Sequence, residues 1–270
     1  MPGDKMIEIH TGDSVVVGID GSTAAVYAAH WAVAEAIARD VPLRLVSCVQ
    51  GPQRSDRMVI EYARTSLRAA HAAIDDTAAH VKVETAVVVG DPTAALISES
   101  RHAAMVCVGS VGIGRFAKAL LGSTAAGVAE SAACPAAVVR SYAPHRRSPA
   151  GSILVEVNDW EENHDVFAAA VAEAQLRGRP VVAVGVCPPE TGMSGRQELL
   201  RRCAVWQDLY PDVYITAVPI TTSFVRFLQT TSEPISLVVV GAREAAKLVK
   251  IIGSHADANS DNPSVLVARA

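Results

Sequence analysis

Residues 152–159, SILVEVND, restate residues 14–21, SVVVGIDG, 138 positions further along the chain. The correspondence recurs downstream. ISLVVVGARE (235–244) matches AAMVCVGSVG (103–112) at a distance of 132, and NPSVLVAR (262–269) matches CPAAVVR (134–140), with Pro263 against Pro135. A repeat about half a chain long means two copies of one domain, not a solenoid of short units. Both halves of the 270 residues must therefore fold by one plan.

In the first copy that plan is legible. DSVVVGIDGS (13–22) reads as a fully buried strand feeding a turn. Ser22 caps a helix in which Val26, Ala29, Val33, Ala36 and Ile37 recur at helical spacing, ending near Asp40-Val41-Pro42. PLRLVSCV (42–49) is the second strand, Ser55 to His80 one long helix, and VKVETAVVVG (81–90) the third strand. Asp91 as cap and Pro92 at the first helical position open a helix over 91–102, and AAMVCVG (103–109) is the fourth strand. A helix over roughly 123–133 and the strand PAAVVR (135–140) complete the copy. Alternation of this kind builds parallel βαβ units with right-handed crossovers, so the fold class is α/β. SYAPHRRSPAG (141–151) has no periodicity and reads as a linker, giving domains over 1–143 and 144–270.

The composition suits short buried strands against Ala-faced helices: 50% of the residues are hydrophobic and only 4% aromatic. A net charge of -4 leaves no basic surface to recruit nucleic acid or a membrane face. Cys48, Cys107, Cys134, Cys187 and Cys203 form no Cys-x-x-Cys pair and read as small buried hydrophobes of a reducing compartment. The stretch MPGDKMIEIHTGD has no apolar run of a secretory signal, and none elsewhere reaches the ~18 residues of a membrane span, so a soluble cytoplasmic protein is expected. His10, His30, His71, His80, His102, His145, His164 and His255 never pair at i, i+4 with a third ligand in view, and no metal site is expected. Trp31, Trp160 and Trp206 read as core or interface anchors, and the basic residues of SGRQELLRRCAVW (194–206) as a solvated helix face.

Two loops carry the chemistry. Gly18-Ile19-Asp20-Gly21 follows the first strand and Gly109 to Thr124 follows the fourth, so they flank one crevice if those strands are neighbours. Gly109 and Gly112 permit positive φ and close approach of backbone to a ligand. Gly122-Ser123-Thr124 opens a helix whose free N–H groups and hydroxyls suit an anion. An isolated Gly-Ser-Thr is ordinary helix-start chemistry, but here the whole spacing is Gly109, two residues, Gly112, nine residues, Gly122-Ser123. No Gly-x4-Gly-Lys-Ser/Thr is present, which excludes a P-loop.

That spacing, together with VVVGIDGS, resembles the universal stress protein family, and in particular its tandem-domain type common in mycobacteria and related actinobacteria. The resemblance implies two tandem, open, mostly parallel five-stranded sheets of order 3-2-1-4-5 flanked by helices. Such a fold is Rossmann-like, of the adenine nucleotide alpha hydrolase type. It also implies an ATP site with Mg²⁺. Asp20 would meet the ribose or adenine side, with Gly18 and Ile19 as backbone beside it; Cys48 would present backbone to adenine. Gly109 and Gly112 would line ribose and phosphates, and Gly122, Ser123 and Thr124 would take the phosphates. Arg115 and Lys118, in the nine-residue insert, either reach a terminal phosphate or form the solvated face of a loop.

The second copy departs from the motif where it matters. Glu156 and Asn158 replace Gly18 and Asp20, Glu244 replaces Gly112, and only eight residues separate Glu244 from Gly253-Ser254. A carboxylate repels phosphate, so one competent site per chain is expected, in the first domain. The expected function is that of a nucleotide-dependent regulator in stress adaptation, such as hypoxia, dormancy or growth control, with a partner protein reading the insert 113–121. The resemblance also implies chains that dimerise and halves that pair through their last strands. A slow ATPase and an ATP-independent scaffold are the alternatives. No general base accompanies Asp20 in the sequence.

Overall fold

The structure, a computed structural model, describes residues 13–50, 57–75, 77–78, 80–112, 121–140, 151–157, 160–187, 192–247 and 263–269. It divides into two compact units, Met1–Ser141 and Tyr142–Ala270. The first contains β1 (Val15–Gly18), α1 (Thr23–Arg39), β2 (Leu43–Val49), α2 (Arg57–Ile74), β3 (Val83–Val89), α3 (Pro92–Glu99), β4 (Met105–Gly109), α4 (Ser123–Ser131) and β5 (Ala136–Val139). Its strands are parallel in the order β3-β2-β1-β4-β5. With right-handed crossovers this order places α1 and α2 on one face and α3 and α4 on the other. The pairs α1–α2 and α3–α4 indeed pack together.

The second unit contains β6 (Ser152–Val157), α5 (Trp160–Arg177), β7 (Val181–Val186), α6 (Gly192–Leu209), β8 (Ile215–Ile220), α7 (Phe224–Thr230), β9 (Ile235–Gly241) and β10 (Ser264–Ala268). Its order, β8-β7-β6-β9-β10, is the same 3-2-1-4-5 plan. Registers agree residue by residue. Val15 pairs with Leu43 and Met105, and Ile153 pairs with Val181 and Leu237. Gly18 lies opposite Val46 and Glu156 opposite Val184, so Glu156 stands structurally where Gly18 does. A buried ion pair is repeated too: Glu35 with Arg39 in α1, and Glu173 with Arg177 in α5 at 2.7 Å.

Helix α1 starts as expected, with Ser22 Oγ accepting the Ala25 N–H, and stops where Asp40 turns left-handed at φ 52°. Its buried stripe, however, is Ala24, Ala25, Ala28, Ala29, Ala32, Val33 and Ala36; Val26 is only half-buried and Ile37 is 49% exposed. Alanines win the inner face because α1 lies almost on the sheet: a Cβ on Gly109 would meet the Ala24 backbone at 2.6 Å.

Helix α2 does not run to His80. It ends at Ile74, whose carbonyl accepts from the Thr77 N–H at 3.0 Å, the Thr77 hydroxyl at 2.9 Å and the Ala78 N–H at 2.8 Å. A hydroxyl side chain competing for helical carbonyls closes the helix in turns. Residues 55 and 56 lie outside the described residues, and α4 stops at Ser131, two residues earlier than expected.

Cys107, Cys134 and Cys203 are buried, but Cys48 and Cys187, at the carboxyl ends of β2 and β7, are only half-buried. Trp206 is buried against Phe167 and stacks on Tyr210, whereas Trp31 is half-buried. Two of the three arginines of α6 are held by one carboxylate: Glu198 accepts from Arg201 at 2.8 Å and Arg202 at 2.7 Å. Those two guanidinium groups pull the exposed Glu198 carboxyl down to about 2. His10, His145, His255 and the linker 141–150 lie outside the described residues. Among the described residues no helix is long and apolar enough to cross a membrane.

Candidate functional site

Because β1 and β4 are hydrogen-bonded neighbours whose crossovers leave in opposite directions, the loops after them diverge and open a crevice above the sheet. A cavity of about 280 Å³ lies there. It is lined by Gly18, Ile19 and Asp20 after β1, Cys48 near the end of β2, Gly109 and Gly112 after β4, and Gly122, Ser123 and Thr124 at the start of α4. Nine of the ten site residues named from the sequence thus share one cavity. The tenth, Arg115, lies outside the described residues, as does Lys118.

One end of the cavity is apolar. Val46 and Cys48 project from β2 onto the face covered by α3, where Pro92 and Leu96 complete the wall with Ile19 and Val108. Main-chain direction follows from strand parity. Val15 N–H donates to the Pro42 carbonyl and Ile19 N–H to the Val46 carbonyl, so even-numbered residues of β2 turn their backbone groups towards β1. Cys48 lies two residues past Val46, beyond the β1–β2 ladder, with its N–H and C=O directed over the crevice. Its thiol is pushed up to about 11, first by burial and then by the nearby Glu99 and Asp91 carboxylates. Such a thiol is protonated at neutral pH and a poor nucleophile.

The opposite wall is polar and stitched across. Asp20 Oδ1 accepts the Ser22 N–H at 2.9 Å, while Oδ2 faces Gly112, where a Cβ would lie 2.6 Å away. The Ser22 hydroxyl donates to the Val111 carbonyl at 3.5 Å. Gly109 and Gly112 are needed for space and not, as expected, for positive φ: among the described residues, the glycines with positive φ are Gly21, Gly90 and Gly178. Each of the two keeps clear a contact that any side chain would occupy, the first with α1 and the second with Asp20.

Helix α4 provides the anion-attracting end. α1 and α3 are capped by their own side chains, Ser22 and Asp91, the latter accepting the Ala94 N–H at 2.9 Å. α4 is capped by Gly122 with no side-chain bond, and Ser123, Thr124 and Ala125 line the cavity. Gly122 is itself fixed by its N–H to the Ser110 carbonyl at 2.8 Å. First-turn N–H groups with no side-chain cap among the described residues, and two hydroxyls beside them, form a seat suited to phosphate oxygens.

Sequence reasoning missed several walls. Ser22 carries the signal of a cap alone, although its hydroxyl also joins the two loops; Pro92 signals only a helix start, and Leu96, Val46 and Val108 carry no signal beyond being apolar. Among the described residues no three His, Cys, Asp or Glu side chains gather to hold a metal.

In the second unit, Glu156 is buried at the place of Gly18, and Lys247 Nζ stands 3.8 Å from both Glu156 and Glu244. Glu244 sits in a 3-10 turn, Ala242–Lys247, that follows β9 directly. This crevice therefore has two carboxylates and an ammonium of its own where the first has glycine backbone. Asn158 and Gly253-Ser254 lie outside the described residues.

The family model for the universal stress protein family matches residues 12–140. Over the longer span, the chain is 41% identical to a universal stress protein of Mycobacterium tuberculosis along 265 residues, 96% of this chain and 97% of the relative. Two others from that organism are 34% identical over 262 residues (94% of each chain) and 40% identical over 247 (87% of this chain, 90% of the relative). Among solved structures, a universal stress protein from Archaeoglobus fulgidus superposes with a TM-score of 0.69 at 15% identity, covering 96% of this chain and 99% of that one.

Proposed function

Since the chain belongs to the universal stress protein family, we propose that it is an ATP-binding cytoplasmic regulator of stress adaptation, with one nucleotide seated between the β1 and β4 loops of its first unit. The observation that carries this reading is the glycine-capped N-terminus of α4, open to the same cavity as the Cys48 backbone. The two ends ask for different chemistry, phosphate at one and a flat apolar base at the other.

Base preference follows from the Cys48 edge. Adenine offers an amino donor beside a ring-nitrogen acceptor, which complements a backbone C=O and N–H; guanine offers the reverse order of donor and acceptor. Asp20, between the ends, is placed to accept from sugar hydroxyls. It is also the one acidic side chain among the described residues lining the cavity. Mg²⁺ fits this set only as a companion of the phosphates, since it is held by one or two carboxylates plus phosphate oxygens. Bound with ATP, it would supply charge neutralisation at the phosphates.

Regulation is favoured over turnover. Besides Asp20, Cys48 is the titratable side chain in the described wall, and its raised thiol does not serve as a base near neutral pH. A nucleotide-dependent surface over the insert 113–121 would then be read by a partner protein, the differential affinity for two states making the switch. The Glu156–Lys247–Glu244 grouping supports a stoichiometry of one. Extraction and chromatography of nucleotide from the purified protein, followed by calorimetric titration of ATP and GTP with Mg²⁺, tests the proposal. The expected result is one adenine nucleotide per chain and weak GTP binding. No bound nucleotide and no binding at millimolar ATP leaves the scaffold reading in place.

A further inference from the structure

Gly127 stands at the middle of α4, inside the run Ala125-Ala126-Gly127-Val128-Ala129, where a further alanine would favour the helix more. What glycine supplies there is room. A Cβ on Gly127 would run into the Thr93 methyl, in the first turn of α3. Three residues on, Leu96 settles into a second place without a side chain, where a Cβ on Gly18 would lie 2.9 Å from its Cδ1. Thr93 and Leu96 share one side of α3, so two glycines, one in α4 and one at the end of β1, set how closely that helix sits. The two helices are unequally held. α4 buries Ala125, Val128 and Ala129 and packs on β4 and β5. Of its own residues α3 buries Leu96 alone, and it is pinned at its far end, Glu99 to Arg44 at 3.0 Å. Crowding at Gly127 would therefore swing the first turn of α3 outward, carrying Pro92 and, behind it, Leu96, which wall the apolar end of the cavity.

We infer that Gly127 is a positioning residue for the crevice: by letting α3 close on α4, it sets how tightly Pro92 and Leu96 hold the base of a bound nucleotide; this rests on the nucleotide reading of the same crevice. Neither Gly127 nor Thr93 is among the residues that line the cavity. The start of α4 is fixed independently of this contact, through the Gly122 N–H to the Ser110 carbonyl at 2.8 Å, so the phosphate end keeps its place when the base end opens.

The test compares ATP, AMP and inorganic triphosphate by calorimetry on the full chain in wild type, Gly127→Ala, Thr93→Ala and the double variant. Drawing back the wall by the contact of one or two methylenes should weaken ATP and AMP binding by the same factor, about four- to fifteenfold, in Gly127→Ala. Inorganic triphosphate, which has no base, should keep its wild-type affinity. Removing the Thr93 methyl in the Gly127→Ala background should bring ATP binding back to within about twofold of wild type. A loss shared by triphosphate, a loss confined to ATP and absent from AMP, or a loss that persists in the double variant would make Gly127 merely structural and overturn the inference. If wild type binds neither ATP nor AMP, the nucleotide reading falls and takes this one with it; if wild type binds ATP and Gly127→Ala matches it, the Thr93 methyl turns aside without moving α3 and this one falls alone.

Discussion

Asp20 Oδ2 occupies the space into which a side chain on Gly112 would grow, 2.6 Å from the Cβ position. The two loops of the crevice therefore meet at a carboxylate and a missing methyl. In Gly112→Ala the methyl must displace Asp20, while the exposed loop relaxes at little cost to the fold. ATP affinity is expected to fall by about tenfold, equivalent to ~1.4 kcal/mol, with the melting temperature nearly unchanged. Calorimetry beside a thermal melt checks both halves of this statement, and unaltered affinity refutes it.

Gly122→Asp should separate stability from binding. A Cβ at this position has room, its nearest neighbour being the Ser110 carbonyl oxygen at 3.5 Å. An aspartate would cap α4 internally and complement its dipole, a gain of about 0.3–1 kcal/mol. The same carboxylate would occupy the proposed phosphate seat. The expected variant is therefore more stable to urea and unable to bind ATP; one that binds ATP normally would place the phosphates elsewhere.

Alkaline pH should act through two thiols. Burial raises Cys48 to about 11, helped by Glu99 and Asp91, and burial alone raises Cys203 to about 11, against 9.0 for an ordinary thiol. Ionisation is easier in the unfolded chain, so the stabilisation associated with these thiols is complete below pH 9 and is lost as pH rises towards 11. Iodoacetamide should label Cys48 slowly at pH 8 and faster between pH 9 and 11. Saturating ATP should slow that labelling, and not the labelling of Cys187; peptide mass mapping after timed quenching reads all three rates.

The repeated pair in α1 and α5 supplies a matched set of stability variants. Arg39→Ala deprives the buried Glu35 of its guanidinium, and Arg177→Ala does the same to Glu173. Each should lower the stability of its own unit by on the order of 2–3 kcal/mol. Urea titration followed by limited proteolysis should find the first unit opening early in Arg39→Ala and the second in Arg177→Ala. Losses below about 0.5 kcal/mol in both would show that the pairs contribute little.

The strands, both helix caps at Ser22 and Asp91 and the duplicated plan were readable because each is a local pattern: Val-rich runs, a hydroxyl or carboxylate before a helix, an offset that repeats. Glycine spacing likewise brought Gly18, Gly109, Gly112 and Gly122 to one cavity. What escaped depends on neighbours distant in sequence. The exposure of Ile37 follows from how closely Ala24 approaches Gly109, and the end of α2 follows from a contest for the Ile74 carbonyl. Leu96 and Pro92 became a wall only because the crossover from β3 to β4 lays α3 over β2. Arg44 is a charge buried inside an apolar strand, made tolerable by Glu99 at 3.0 Å, 55 residues away.

The matched registers of β1 and β6 mean that each amide of one sheet has a twin in the other, Val17 with Val155 for instance. Temperature, acidity and denaturant act on both twins, while a solute seated above β1 acts on one of them. The ratio of exchange rates between twin amides, compared with and without solute in one medium, therefore reports the solute. If one nucleotide binds per chain, as proposed, the duplicated chain carries its own blank, and a measurement of ligand occupancy can be calibrated inside one molecule.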